Sequence, residues 1–209
     1  MVLAVVMIVS TMATIGSLPA AGFADVDDAA LLCALGVLGD LEVVKGVGPN
    51  ADGEPLFGGT QNVTRQQFAL FVARIKTGTP EFYLPDDNAL VEVQKLFSDV
   101  EDATFAAAIL FCFEEGIITG SVAPAAGAPG KFDPEANITL QQAAAMLVRA
   151  LGYTSATANE IPYERVLTHA TRPEVALVGN NVETEGFDLV ALGKRASDTL
   201  TRNDMAMLL

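Results

Sequence analysis

Val63-Thr64-Arg65-Gln66-Gln67-Phe68-Ala69 is the stretch whose reading decides the fold. It opens a helix. Thr64 is placed to act as N-cap, its hydroxyl taking an amide of the first turn, and Gln67, three residues on, reaches back to the amide of Thr64 to complete a capping box. Val63 and Phe68 stand at N′ and N4, the two positions of a hydrophobic staple. The pattern recurs at Ile138-Thr139-Leu140-Gln141-Gln142-Ala143, and again, with Asp for Gln, at Leu200-Thr201-Arg202-Asn203-Asp204-Met205. Thr64 and Thr139 stand 75 residues apart. Three copies of one helix start mean an internal repeat.

Arg65 and Arg202 sit at N1 of their helices, where the positive end of the dipole disfavours a cation by about 0.3–1 kcal/mol. Free amides, the dipole end and a guanidinium in one place describe an anion site. The plainer reading has each arginine pointing into water or pairing with a carboxylate. Recurrence at equivalent places favours the anion site.

The 209 residues suffice for one or two domains or three small repeats, and 51% are apolar. A formal net charge of −14 argues against nucleic acid and against an anionic bilayer surface, so an anionic ligand must be held by local basic groups. Cys33 and Cys112 lie in apolar helical stretches with no CxxC or Cys/His cluster; both read as small buried residues rather than a disulfide or metal site.

Val2 to Ile15 is nearly all apolar and leads to Ser17-Leu18-Pro19-Ala20-Ala21-Gly22-Phe23-Ala24, which reads as a secretory signal peptide over 1–24 cut after Gly22 or Ala24. It lacks a basic leader, since no Lys or Arg precedes Lys45. The run is short of the roughly 20 residues a membrane span needs. Helices are then expected over Ala29 to Leu38, Arg65 to about Ile75, Ala89 to Leu96, Ala103 to Glu115, from Leu140 to about Leu151, within Pro162 to Val178, and from Arg202 onward. Gly48 to Gly59, Ser121 to Gly130 and Asn180 to Ser197 read as loops. The last helix stops at Leu209 while its sisters run longer, which leads us to expect a continuation.

The order Phe-x-Asp-Val, apolar helix, Gly-Ile-Ile-x-Gly, Phe-x-Pro, Ile-Thr and amphipathic helix resembles the S-layer homology (SLH) domain of bacterial cell-surface proteins. The segment 97–153 carries most of it: Phe97-Ser98-Asp99-Val100, Gly116-Ile117-Ile118-Thr119-Gly120, Lys131-Phe132-Asp133-Pro134 and Ile138-Thr139. The segment 25–76, with Phe23-Ala24 ahead of it, carries Phe23-Ala24-Asp25-Val26, Val43-Val44-Lys45-Gly46 and the stretch quoted first. Residues 77–96 connect the two. The segment 154–209 is degenerate, truncated at its C-terminus, and keeps mainly Leu200-Thr201-Arg202-Asn203-Asp204.

The resemblance implies an all-α, mostly helical fold: a pseudo-threefold SLH trimer with a central bundle of three helices and peripheral helix–loop prongs. It implies a secreted protein, held non-covalently at the cell wall or S-layer by an anionic, pyruvylated secondary cell-wall polysaccharide, or a peptidoglycan-linked glycan, bound in grooves between prongs. The groove arginine of the family maps to Arg65 and Arg202, flanked by Thr64 and Gln67. Gly46 and Gly120 would let a sugar approach the backbone, or else serve as helix C-caps. Asp25 and Asp99 would bond sugar hydroxyls, or else cap the first helix of each repeat. Leu140 replaces the arginine in the second repeat, so one or two competent grooves are expected. With no Trp in the chain, stacking on a sugar would fall to Phe57, Phe132 or a Tyr.

No cofactor, metal, nucleic acid or, after signal removal, membrane partner is implied. The sequons at Asn62 and Asn137 fall at helix caps, where local hydrogen bonding accounts for them. Asp25-Val26-Asp27-Asp28 and Asp86-Asp87-Asn88 lack the ligand spacing of a calcium loop. With one histidine, His169, and no GxSxG, HExxH or phosphate loop, the chain reads as a binding module and not an enzyme. The alternatives are a wall-targeted hydrolase or an S-layer lattice protein whose effector region lies beyond residue 209.

Overall fold

A computed structural model describes residues 22–78, 82, 84–153, 162–167 and 193–209. The expected signal peptide up to residue 21, His169, most of the helix expected within Pro162 to Val178, and the expected Asn180 to Ser197 loop up to residue 192 lie outside the described residues. The fold is mostly helical. In chain order come α1 (Ala29–Asp40), the short antiparallel pair β1 (Gly48–Pro49) and β2 (Pro55–Leu56), α2 (Arg65–Thr77), α3 (Asp87–Leu96), α4 (Ala103–Glu114), α5 (Leu140–Ala150), a 3-10 turn (Tyr163–Arg165) and α6 (Arg202–Leu208).

All three capping boxes form. Thr64, Thr139 and Thr201 each accept from the amide three residues on, and Gln67, Gln142 and Asp204 each accept from the N-cap amide. Removing one such cap costs about 1 kcal/mol. Thr139→Ala should therefore lower the unfolding free energy by about 1 kcal/mol, read from a urea melt, while Thr139→Ser should stay within a few tenths of the parent.

α2 and α5 are buried almost all round. Phe68 to Ala73 on α2 and Ala143 to Val148 on α5 are all buried, which is the pattern of an interior helix. α2 packs against both α4 and α5, α3 covers α4, and α1 packs on α6. Arg74 and Arg149 each stand ten residues beyond their Thr cap. They reach back from the last turns of α2 and α5 to the carbonyls of Val43, at 3.0 Å, and Ile117, at 3.4 Å. A cation suits the negative end of a helix, and each carbonyl here gains a charged donor.

The three helix starts are joined in a closed ring of backbone hydrogen bonds. Val63 N donates to Leu200 O (2.9 Å), Leu200 N to Ile138 O (3.0 Å), and Ile138 N to Val63 O (2.9 Å). All three residues have no exposed surface. Buried peptide groups need partners, and here the staple residue of each start supplies one to the next.

Several expectations are corrected. α3 begins at Asp87, because Asp86 caps it by accepting from Asn88 N and Ala89 N, both at 3.0 Å. The Gly48 to Gly59 loop contains the β1–β2 pair, closed around Asn50, whose side-chain oxygen accepts from Asp52 N and Glu54 N at 2.9 Å. Gly46 does not cap α1. The cap is Leu41, followed by Glu42 at φ 54, and Gly116 (φ 70) plays Glu42's part after α4. Cys33 is exposed, not buried, whereas Cys112 is buried, and that burial pushes its thiol pKa up to about 12.

Candidate functional site

Two side-chain clusters repeat one geometry. Arg65 leaves α2 at its first residue and lies across the Phe132 ring, its guanidinium carbon 4.9 Å from the ring centroid. Its Nε donates to the Phe132 carbonyl at 2.8 Å. The loop below is held by Asp99, whose two carboxylate oxygens accept from Phe132 N and Asp133 N, both at 2.9 Å. Beside the arginine, Gln66 Nε2 donates to Glu135 Oε1 at 2.7 Å.

The second cluster matches it group for group. Arg202 of α6 lies 4.7 Å over the Phe57 ring, and its Nε donates to Phe57 O at 2.9 Å. Asp25 accepts from Phe57 N at 2.7 Å and Gly58 N at 2.8 Å. Here Nη2 also donates to Lys45 O at 2.6 Å. Thus a helix start in one segment covers a loop of another: 65 over 132, and 202 over 57. At the third boundary Leu140 is buried and its amide donates to Asp198 O at 3.0 Å.

Both arginines are only 9% exposed as whole residues. Burial pushes their pKa values down; Asp133, Tyr163 and Asp99 push back at Arg65, and Asp25 at Arg202. Among the described residues, Arg65 keeps Nη1 and Nη2, and Arg202 keeps Nη1, without a hydrogen-bond partner. Each cluster therefore offers charged donors at the rim of a buried ring, and guanidinium donors match carboxylate geometry.

Asp25 itself sits below its ordinary pKa. The little burial this exposed residue has works against it, but bonds from the amides of Phe57, Gly58 and Gly59 outweigh that. Asp204 is likewise lowered: burial raises it, and Lys194 at 2.8 Å together with Thr201 overcomes that. A carboxylate depressed in the fold binds fewer protons folded than unfolded. Its contribution is complete above the unfolded carboxylate range near pH 4 and is lost as pH falls through the folded value. The midpoint temperature should accordingly hold steady from pH 7 to 5 and fall below about pH 4, and Asp204→Asn should flatten that fall in a calorimetric series.

The amide groups of the helix starts are not free. Arg65 N donates to Ala136 O (2.9 Å) and Gln66 N to Pro134 O (3.1 Å); Arg202 N donates to Gln61 O and Asn203 N to Gly59 O, both at 2.9 Å. With the N3 amides held by the threonine caps, any anion must be met by side chains alone. Thr64 and Gln67 lie next to Arg65 but are engaged with each other. Asp25 and Asp99 do not cap helices; Asp28 and Asp102, three residues on, do. Phe57 and Phe132 are wholly buried, so neither ring is open to stack on a sugar.

Gly46 and Gly120 are required by the chain itself. A Cβ on Gly46 would lie 2.6 Å from Leu56 O, and one on Gly120 would lie 2.6 Å from Lys131 O. The backbone that approaches them belongs to the loops bearing Phe57 and Phe132. The Arg–Phe stacks themselves were missed by the sequence reading. The signal for them was there: an aromatic seven residues before each N-cap threonine at Phe57–Thr64 and Phe132–Thr139.

No family model matches the chain. A "Cell surface protein" of Thermoanaerobacter kivui is 34% identical over 155 residues, which is 70% of this chain. The chain spans 18% of that relative's length. Among the described residues no helix is long and apolar enough to cross a membrane, and no group of His, Cys, Asp or Glu is arranged to hold a metal ion.

Proposed function

We propose that this chain is a non-covalent anchor at the bacterial cell surface, built from three SLH repeats and holding an anionic, pyruvylated wall polysaccharide. The observation that carries the reading is the paired Arg–Phe cluster, formed twice with the same bonds where one segment meets the next. The closed ring Val63–Leu200–Ile138 supports a threefold arrangement of the repeats around α2, α5 and α6. The similarity to a protein named for the cell surface supports the location. A ketal carboxylate is small, planar and singly charged, and the unpartnered guanidinium nitrogens, two on Arg65 and one on Arg202, are charged donors for it. Leu140 removes the cluster at the third boundary, which leaves two grooves.

The test is retention on purified wall sacculi, before and after chemical removal of the polysaccharide. Stripping should abolish retention. Arg65→Ala and Arg202→Ala should each weaken it about tenfold, the equivalent of about 1.4 kcal/mol, with circular dichroism confirming that each variant is folded. Unchanged retention on stripped sacculi would sink the reading.

A further inference from the structure

The two arginine pockets share Arg, Phe and Asp, yet the positions around them carry different charges. Around Phe57 and Arg202 the loop reads Leu56-Phe57-Gly58-Gly59-Thr60; around Phe132 and Arg65 the matching loop reads Lys131-Phe132-Asp133-Pro134-Glu135. The match is fixed by structure and not by alignment alone. Gly59 O and Gln61 O accept from the first turn of α6 just as Pro134 O and Ala136 O accept from that of α2. Gly58 and Asp133 both take positive φ, 72 and 55. The turns facing them carry Lys45 in one pocket and Thr119 in the other, each next to the glycine that the loop crosses.

At matching loop positions the Arg65 pocket carries Asp133 and Glu135 where the Arg202 pocket carries Gly58 and Thr60. The fields at the two guanidinium groups differ in the same sense: Asp133 and Asp99 act on Arg65, Asp25 alone on Arg202.

We propose that the two pockets divide the ligand by charge: the Arg202 pocket takes the carboxylate-bearing sugar, and the Arg65 pocket takes an uncharged, hydroxyl-bearing unit. The uncharged Gly58 and Thr60 set the first preference; Asp133 and Glu135 set the second. Asp133 does so at φ 55, a left-handed conformation that aspartate tolerates better than most residues. Asp133 and Glu135 are exposed; the Asp133 amide donates to Asp99 beneath Arg65, and Glu135 accepts from Gln66 beside it, so an entering carboxylate would meet both at the rim. This division rests on the anion-binding reading above.

The test is a nitrogen–proton NMR titration of the whole chain with methyl β-glucuronide as carboxylate probe and methyl β-glucoside as its neutral twin. Amides of Gly58 and Gly59 report one pocket; those of Asp133 and Glu135 report the other. Two unit charges a few ångströms away at a wet surface change affinity by about tenfold. The glucuronide should thus saturate the Gly58 pocket at about one-tenth the concentration needed at Asp133, and raised salt should narrow the gap. The double change Asp133→Gly with Glu135→Thr should bring the two into line, with the neutral glucoside unaffected at Gly58. Equal saturation in the parent chain, or tighter glucuronide binding at Asp133, overturns the division while leaving the anchor reading intact. Glucuronide shifts at neither pocket overturn both.

Discussion

Phe132→Ala should destabilise the chain by about 3–5 kcal/mol, measured as the loss of unfolding free energy in urea. The ring has no exposed surface and packs on Phe97 at 5.8 Å between centroids. Truncation removes its transfer energy and leaves a cavity that the neighbours cannot fill, because Asp99 and Arg65 both fix the surrounding loop through its backbone. It also removes the ring beneath a buried guanidinium, a cation–π contact of about 0.5–2 kcal/mol. Phe57→Ala should match it, since Phe57 has the same burial and the same lid. A loss below about 1 kcal/mol would mean that the rings are not buried as described. Phe132→Leu should cost much less and leave the arginine in place.

Gly120→Ala should be nearly as damaging, through a different cause. At φ +83 an added Cβ strains the backbone, worth about 1–2 kcal/mol. The same Cβ would also overlap Phe97 at 2.5 Å and Lys131 O at 2.6 Å. That carbonyl cannot withdraw freely, because it accepts from Ser121 N at 2.8 Å and Val122 N at 3.1 Å. Overpacking of this kind adds about 1–3 kcal/mol. Gly127 provides the control: its φ is +79 and nothing lies within 4 Å of the added carbon. Gly127→Ala should show the dihedral cost alone, so the difference between the two melts isolates the overlap. Equal melts would show that the Lys131 loop yields.

What the sequence disclosed follows the range of the interaction. The capping boxes at Thr64, Thr139 and Thr201 were legible because each is complete within four residues. Helix identity was legible for the same reason, and the ends erred by one or two residues where a cap such as Asp86 went unread. The pockets were legible only in part. Arg65 and Arg202 stood out against the helix dipole, but what each touches is 67 and 145 residues away in sequence. No local pattern shows that Arg65 lies on Phe132, nor that the first-turn amides are already taken by Ala136, Pro134, Gln61 and Gly59. Of the two readings given to Asp25 and Asp99, the helix cap fails, because a carboxylate near a helix start looks the same whether it holds that helix or a distant loop. The true caps, Asp28 and Asp102, were equally visible, and only the fold separates them.

The ring of Val63, Ile138 and Leu200 bears on how such a chain matures. Each member is useless alone: its amide and carbonyl find their partners on two different stretches, and the last of these leaves the ribosome long after the first. Interactions between remote stretches form late and slowly, because the intervening chain must give up its freedom before any bond rewards it. Until Leu200 arrives, Val63 N and Ile138 O lack their partners in the ring, although Ile138 N and Val63 O already have each other. Assembly is thereby tied to its latest step, and the Arg202–Phe57 stack, whose arginine follows Leu200 by two residues, is completed with it.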